Sequence, residues 1–315
     1  MIGISSSFKG TMLMRIISKA FIILVAQSLF LLLIVGYALA KCEDPDILTI
    51  SIIPTEESIQ EFIIYKPVID YLSRTTGKKI EFYVPVSYSN VIDAMVGKWV
   101  NIAILGPYSY AKASSIDPDI RVFATYSKNA GYIQEAGPGY KSVLITRKGS
   151  RFTTIASLKN SSVDLIDPLS TSGSLVPQAS FSRLVGLPLE VFFGKITYSG
   201  GHDLAALAVY EGVVDATFTA THRFDNAIER GMVKKEDFNY LWYSQVLPLD
   251  PICYRDSLCP ELKKKIEKTF LTLHTEPSCA KFLETINASR FVKILPKDYD
   301  IIREFIKTEN VKLRK

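Results

Sequence analysis

The feature that most constrains the fold is an alternation of short apolar runs with helical patterns, which begins at Ile47. The run 47–53 predicts a buried strand, and apolar residues at helical spacing predict a helix over about 59–75, with Pro67 inside it. Further strands are predicted at 80–84, 102–105, 121–126, 142–145, 163–166 and 215–219, and helices at 88–96, 108–114, 174–184, 203–210 and from about 261 onward. Such alternation is typical of α/β architecture with mostly parallel sheets.

The alternation forms two series, which predict two lobes. Gly- and Pro-containing segments at 137–140 and 248–251 are the candidate crossovers between them. We therefore expect lobe 1 to comprise residues 47–138 and 249–315, and lobe 2 to comprise residues 139–248.

Residues 1–40 predict a secretory signal peptide. They contain three cations and no acidic residue, with an apolar run over about 20–36 and small residues at Ala38 and Ala40. This order predicts cleavage after Ala40 and a periplasmic protein. The alternative is an uncleaved membrane anchor, because the run is close to the lower limit of about 17 residues for a membrane span.

Charge and ligand spacing argue against two function classes. The chain has 37 Lys and Arg residues and 32 Asp and Glu residues, and its net charge of +5 falls to +2 without residues 1–40. The densest basic run is Lys263-Lys264-Lys265, so a nucleic-acid partner is not expected. The histidines and cysteines are not at metal-ligand spacing, so neither a metal site nor a cofactor is expected.

The four cysteines are Cys42, Cys253, Cys259 and Cys279. In an exported protein they could pair, and Cys253 with Cys259 is the closest couple in sequence. A surface disulfide and buried free thiols remain equally open.

The sharpest local feature is the segment 167–174, with sequence DPLSTSGS, between a predicted strand and a predicted helix. Three consecutive hydroxyl side chains and free backbone N–H groups at a helix start can hold an anion, which the helix dipole also favours. Ser170, Thr171 and Ser172 are therefore candidate ligand donors. An ordinary helix N-cap is the alternative interpretation.

Other predicted helix starts carry candidate residues as well. His202 follows Ser199-Gly200-Gly201, Tyr88 opens the helix after the second strand, and Tyr108 follows Gly106-Pro107. Helix starts that follow parallel strands converge in one cleft, where open α/β sheets bind their ligands. A histidine such as His202, taken alone, is more often a structural hydrogen-bonding residue.

The combination of the Asp-Pro-x-Ser-Thr-Ser-Gly segment with the later Gly201-His202 resembles the substrate-binding proteins of ABC importers for phosphate, phosphite and phosphonate, the PhnD-like family. The resemblance runs from Ile47 to about Ile294 and is also carried by the segments 106–110, 139–145, 201–203, 214–216 and 248–251. It implies a two-lobed type II periplasmic binding protein, closing on its ligand about a hinge. It also implies a monomer without enzymatic activity, which delivers a small oxyanion to an ABC permease in the inner membrane.

The resemblance also implies which residues face the ligand. It places Ser170, Thr171, Ser172 and His202 on the oxygens of the ligand. Tyr88 would pack against the ligand, and Asp250 would face an amine group of the ligand. His222 stands where the family has a second amine-facing carboxylate, and Leu105 stands where an aromatic residue is usual. An aminophosphonate is therefore disfavoured, while phosphite, methylphosphonate, phosphate or another small oxyanion remain open.

Two other functions fit the same fold. A sensory protein would report the ligand to a membrane receptor. An exported hydrolase would need a trio such as Ser170 or Ser172 with His202 and Asp203, but the chain lacks Gly-x-Ser-x-Gly at a strand-to-helix turn. Adjacent residues on a helix do not face each other, so Asp203 is poorly placed to orient His202.

Overall fold

The computed structural model describes residues 42–54 and 58–312, together with Gln27. Apart from Gln27, the predicted signal peptide lies outside the described residues. The chain divides into residues 1–43 and 44–315, and the second unit carries all the elements described below. In the described part of the chain, no helix combines the length and apolar character that a membrane crossing needs.

The strands agree in position with most of the apolar runs of the sequence. They are β1 Ile47–Ile52, β2 Lys79–Tyr83, β3 Ile102–Ile104, β4 Ile120–Lys128, β5 Gly139–Tyr140, β6 Ser142–Arg147, β7 Ser162–Leu165, β8 Lys195–Tyr198, β9 Ala216–Ala220, β10 Phe238–Tyr243, β11 Leu247–Pro248, β12 Ile252–Arg255 and β13 Ala288–Lys293.

The helices lie between these strands. They are α1 Ser58–Thr76, α2 Tyr88–Val96, α3 Pro107–Ile116, α4 Ser182–Val185, α5 Leu189–Phe192, α6 His202–Glu211, α7 Thr221–Glu229, α8 Pro260–Leu271, α9 Ala280–Thr285 and α10 Asp300–Lys312. Two π-helical turns, Thr171–Leu175 and Pro177–Phe181, precede α4, and short 3₁₀ turns occur at 156–158, 235–237, 273–275, 277–279 and 296–299.

Two mixed sheets organise the fold. The six-stranded sheet has the order β13-β4-β12-β3-β1-β2, and the five-stranded sheet has the order β10-β6-β9-β7-β8. β1 is parallel to β2 and β3, and β7 is parallel to β8 and β9. β12 and β13 in the first sheet, and β6 and β10 in the second, pair antiparallel to their neighbours. The expectation of mostly parallel sheets is therefore wrong, because β6 and β12, which follow the two crossovers, enter their sheets in the reverse direction.

A short ribbon forms at the two predicted crossovers. β5 pairs antiparallel with β11, with Tyr140 opposite Leu247 and Gly139 opposite Pro248. Both passages of the chain between the two sheets therefore run side by side.

Both faces of the five-stranded sheet are buried. On β6, Leu144 packs into one apolar cluster while Val143 and Ile145 pack into another. Successive strand residues point to opposite faces, so a strand covered on both sides needs a continuous apolar run rather than an alternating one.

Both alternatives that the sequence left open for the cysteines occur, a disulfide and buried free thiols. Cys253, on β12, is a fully buried free thiol, and Cys279 is also free and buried. Cys42 and Cys259 are the disulfide-bonded cysteines. A bond between Cys253 and Cys259 is therefore not formed, because Cys253 lies inside the sheet while Cys259 caps the start of α8.

Candidate functional site

A cavity of about 10 Å³ lies where residues that follow strands of both sheets meet. Seven of the eight sequence-predicted ligand residues line it, and these are Tyr88, Ser170, Thr171, Ser172, His202, His222 and Asp250. Tyr88, His202 and His222 stand in the first turns of α2, α6 and α7. Helix starts present free N–H groups and a positive dipole end, so their convergence favours an anionic ligand.

The Ser-Thr-Ser turn is held rigidly by its own hydrogen bonds. The Ser170 hydroxyl accepts a hydrogen bond from the Gly173 amide at 3.1 Å, and the Thr171 hydroxyl accepts one from the Tyr108 amide at 2.8 Å. The Ser142 hydroxyl donates to the Ser172 carbonyl at 2.6 Å. Because the Ser170 and Thr171 oxygens already accept, their hydroxyl hydrogens remain to be donated.

The helix after β7 begins three residues before its predicted start at 174, and it begins as a π turn. The Leu175 amide donates to the Ser170 carbonyl, five residues earlier. Gly173 lies inside this turn, and a Cβ there would be 2.2 Å from Cγ1 of Ile166. Only glycine therefore lets the turn pack this closely on the chain that leaves β7.

His202 presents a hydrogen-bond donor although its ring is neutral. Its Nδ1 lies 2.9 Å from the Thr219 hydroxyl and accepts from the Ala220 amide at 3.3 Å. An Nδ1 that accepts leaves the proton on Nε2. Burial, supported by the positive charge of Arg223, lowers the pKa of His202 well below its ordinary value. The ring therefore offers one N–H without adding a charge.

A cluster of charged and polar side chains also lines the cavity. Arg223 donates from Nη2 to Oδ2 of Asp250 at 2.9 Å, and the Tyr126 hydroxyl donates to the same oxygen at 3.1 Å. His222 Nε2 lies 3.9 Å from that oxygen, which is too far for a hydrogen bond. Tyr140 contacts the His222 ring edge to face, with centroids 4.8 Å apart.

The charge states in this cluster follow from burial and from the ion pair. Burial lowers the pKa of His222 to about 3, although the Asp250 carboxylate opposes this shift. Burial alone would raise the pKa of Asp250, but His222 and Arg223 outweigh it and hold that pKa below its ordinary value. Burial also raises the pKa of Tyr140. At neutral pH the cluster therefore holds one anion, one cation and neutral rings.

The cavity lining differs from the predicted set of ligand residues at three positions. Tyr108 does not line the cavity, because its backbone amide faces Thr171 while its side chain packs on the core of the six-stranded sheet. Arg223 and Tyr140 do line it. Both were part of segments that drew attention, since Arg223 follows His222 at a helix start and Tyr140 lies at a predicted crossover.

The geometry also bears on the hydrolase alternative. The Asp203 carboxylate accepts from the Leu204 amide at 2.9 Å and from Arg230 at 3.4 Å. His202 Nδ1 is engaged by Thr219 and Ala220 instead. Among the described residues, Asp203 and His202 are thus held by different hydrogen-bond partners.

Comparison with known proteins gives the family. Residues 50–299 match a family model described as "ABC transporter, phosphonate, periplasmic substrate-binding protein". The chain belongs to this family. Its relatives include the "Phosphate-import protein PhnD" of Mycolicibacterium smegmatis, 28% identical over 72% of this chain and 71% of the relative. The "Phosphonates-binding periplasmic protein" of Escherichia coli is 29% identical over 79% of this chain and 72% of the relative.

Solved structures of the family show the same fold. PhnD1 of Prochlorococcus marinus, solved with methylphosphonate, matches with a TM-score of 0.75 and 20% identity over 85% of this chain and 99% of that one. A binding protein of a phosphonate transporter from Pseudomonas aeruginosa matches with a TM-score of 0.77 and 24% identity, covering 85% and 87% of the two chains. The chain therefore has the two-lobed type II periplasmic binding protein fold that the resemblance implied.

Proposed function

We propose that this phosphonate-binding family member captures a small phosphorus oxyanion in the described cavity and delivers it to an ABC permease in the inner membrane. The observation that carries the proposal is the meeting of the Ser170–Ser172 turn with His202 in one buried cavity. Hydroxyls and a neutral imidazole N–H bind a tetrahedral oxyanion through charge-assisted hydrogen bonds, which are about twice as strong as neutral ones.

The size of the cavity favours a compact ligand. A volume of about 10 Å³ is close to the minimum that holds a single water molecule, so the residues around the cavity must move apart to admit any phosphorus oxyanion. The smallest ligands require the smallest movement. The aromatic ring of Tyr88 and the Arg223–Asp250 pair close the remaining sides. Phosphite, phosphate and methylphosphonate suit this cavity better than a larger phosphonate.

The Arg223–Asp250 pair also argues against an amine-bearing ligand. Asp250 is the carboxylate that an ammonium group would approach, but it is already neutralised by a guanidinium at 2.9 Å. His222, which replaces a second carboxylate, is neutral and attracts no cation. An aminophosphonate would therefore bury its ammonium group beside the Arg223 guanidinium with one carboxylate for two cations, at a cost of several kcal/mol.

The proposal extends to the lobes and the location of the protein. Lobe 1 comprises residues 47–138 and 249–315, and lobe 2 comprises residues 139–248, with the β5–β11 ribbon in the hinge. The protein is a monomer without enzymatic activity, which reaches the periplasm after signal-peptide cleavage behind Ala40. Hinge closure excludes water and so strengthens each contact to the ligand.

A calorimetric titration with phosphite, phosphate and methylphosphonate tests the proposal. At least one of them should bind, and His202→Ala should lose that binding while it keeps the circular-dichroism spectrum of the wild type. His274→Ala is the matched control, because His274 is exposed on a 3₁₀ turn away from the cavity. Absence of binding to all three ligands, or unchanged affinity in His202→Ala, would refute the proposal.

A further inference from the structure

The residues that line the cavity form two groups by hydrogen-bonding character. The hydroxyls of Thr171 and Ser172 and the Nε2–H of His202 can donate to a ligand. Asp250 is an ionised carboxylate, which can only accept. Its hydrogen bonds from Arg223 and Tyr126 both go to Oδ2, which leaves the lone pairs of Oδ1 available.

His222, which lies next to Asp250, adds an acceptor nitrogen without a hydrogen-bond partner among the described residues. Its side chain is about 3% exposed, and neither ring nitrogen has a hydrogen-bond partner among the described residues. A neutral imidazole has one donor and one acceptor nitrogen. A buried polar atom left without a partner costs about 1–3 kcal/mol, so a ligand that supplies a hydrogen here gains that amount.

We propose that the end of the cavity formed by His222 and Asp250 accepts a hydrogen bond from a hydroxyl of the ligand, so that the site selects tetrahedral oxyanions that still carry a proton. This inference rests on the proposed function. Monoprotonated phosphate, phosphite and phosphonates carry such a proton near neutral pH. Sulfate and sulfonates have the same shape but carry none, and would set oxygen lone pairs against the Asp250 carboxylate.

The charged neighbours do not cancel this discrimination. Arg223 is paired with Asp250, and Lys128 on β4 donates to the Ile286 carbonyl. Among the described residues, the other titratable groups that act on His222 or Asp250 are Tyr126 on β4, Tyr140 on β5, Tyr299 at the end of the 3₁₀ turn 296–299, and His202 on α6. Burial raises the pKa of the three tyrosines and lowers the pKa of His202, so all four stay neutral between pH 6 and 9. A pH dependence of binding in that range therefore reports the proton of the ligand.

Calorimetric titrations with methylphosphonate and methanesulfonate, from pH 6 to pH 9, test the inference on the full chain. Methylphosphonate should bind about 5- to 150-fold more tightly than methanesulfonate, as expected for 1–3 kcal/mol. Above the second pKa of methylphosphonate, its affinity should fall about tenfold per pH unit, because the monoanion fraction falls in that proportion.

The variant Asp250→Asn supplies the second measurement. An amide can turn its NH₂ group toward a sulfonate, so the preference for methylphosphonate should shrink at least about fivefold. Asp300→Asn is the matched control, because Asp300 is an exposed carboxylate that pairs with Arg303 at 2.7 Å. If Asp250→Asn does not fold, the wild-type titrations still decide the matter.

The outcomes separate the inference from the proposed function. Methylphosphonate binding with equal affinity for methanesulfonate, or with no loss of affinity up to pH 9, overturns the inference and leaves the proposed function standing. Failure of methylphosphonate, phosphate and phosphite to bind at any pH overturns both.

Discussion

Replacement of Thr171 by valine removes one hydroxyl and preserves the shape of the side chain. The Thr171 oxygen accepts from the Tyr108 amide at 2.8 Å, and its hydrogen is left to donate into the cavity. Loss of the acceptor leaves an N–H at the start of α3 without its partner, at a cost of about 1–3 kcal/mol in the free energy of unfolding. Loss of a hydrogen bond to a charged ligand costs about 1.5–3 kcal/mol, so Kd should rise about 10- to 150-fold.

Thr171→Ser is the control for this substitution. It keeps both hydrogen bonds and removes only a methyl group, worth about 0.8 kcal/mol, so Kd should rise no more than about fourfold. Calorimetry gives the affinities and urea unfolding gives the stabilities. Equal affinities for Thr171→Val and the wild type would refute the assignment of this hydroxyl to the ligand, and equal losses in both variants would show that the methyl group matters instead.

Three further predictions concern packing, pH and motion. Gly173→Ala places a Cβ 2.2 Å from Ile166 Cγ1 and should lower the free energy of unfolding by about 1–3 kcal/mol. The loss should be smaller when Ile166 is also replaced by alanine, and urea-unfolding losses that simply add in the double variant would contradict the clash. The pKa values of His202 and His222 lie below the unfolded value of 6.5. The unfolded chain therefore binds more protons than the folded one below about pH 6.5. The free energy of unfolding should fall there by up to about 1.4 kcal/mol per pH unit for each ring. A free energy from urea unfolding that stays constant from pH 7 to pH 5 would refute this prediction. In X-ray scattering, saturating methylphosphonate should decrease the radius of gyration of the wild type but not of His202→Ala, and identical curves for the wild type with and without ligand would count against hinge closure.

Local patterns predicted part of the fold closely. The helix expected over 88–96 is α2 with the same bounds, and the run at 47–53 forms β1 one residue shorter. In both segments the spacing of the apolar residues, which can be read from the local sequence alone, indicates the type of element. Pro67 lies inside α1, which continues through it.

Other elements depend on distant partners and escaped prediction. β13 lies in the last third, which looked helical, and its pairing with β4 joins residues about 160 positions apart. β12 pairs with both β3 and β4 only after the chain has returned through the β11 segment. A short strand buried by such pairing has no period that distinguishes it from a helix segment.

The site shows the same contrast. The Ser170–Ser172 turn was recognisable because hydroxyl residues between a strand and a helix have a local meaning. The place of Arg223 in the cavity depends on an ion pair with Asp250, 27 residues away, which its position next to His222 in the sequence could not reveal. An arginine is mostly exposed unless it is paired, so its burial requires that distant partner.

A crystal structure with bound methylphosphonate tests the central claim most directly. The account predicts phosphonate oxygens about 2.5–3.2 Å from the Thr171 and Ser172 hydroxyls and from Nε2 of His202, with the ligand enclosed between the two sheets. A ligand bound outside the cavity, or inside it without contact to the Ser-Thr-Ser turn, would contradict the account.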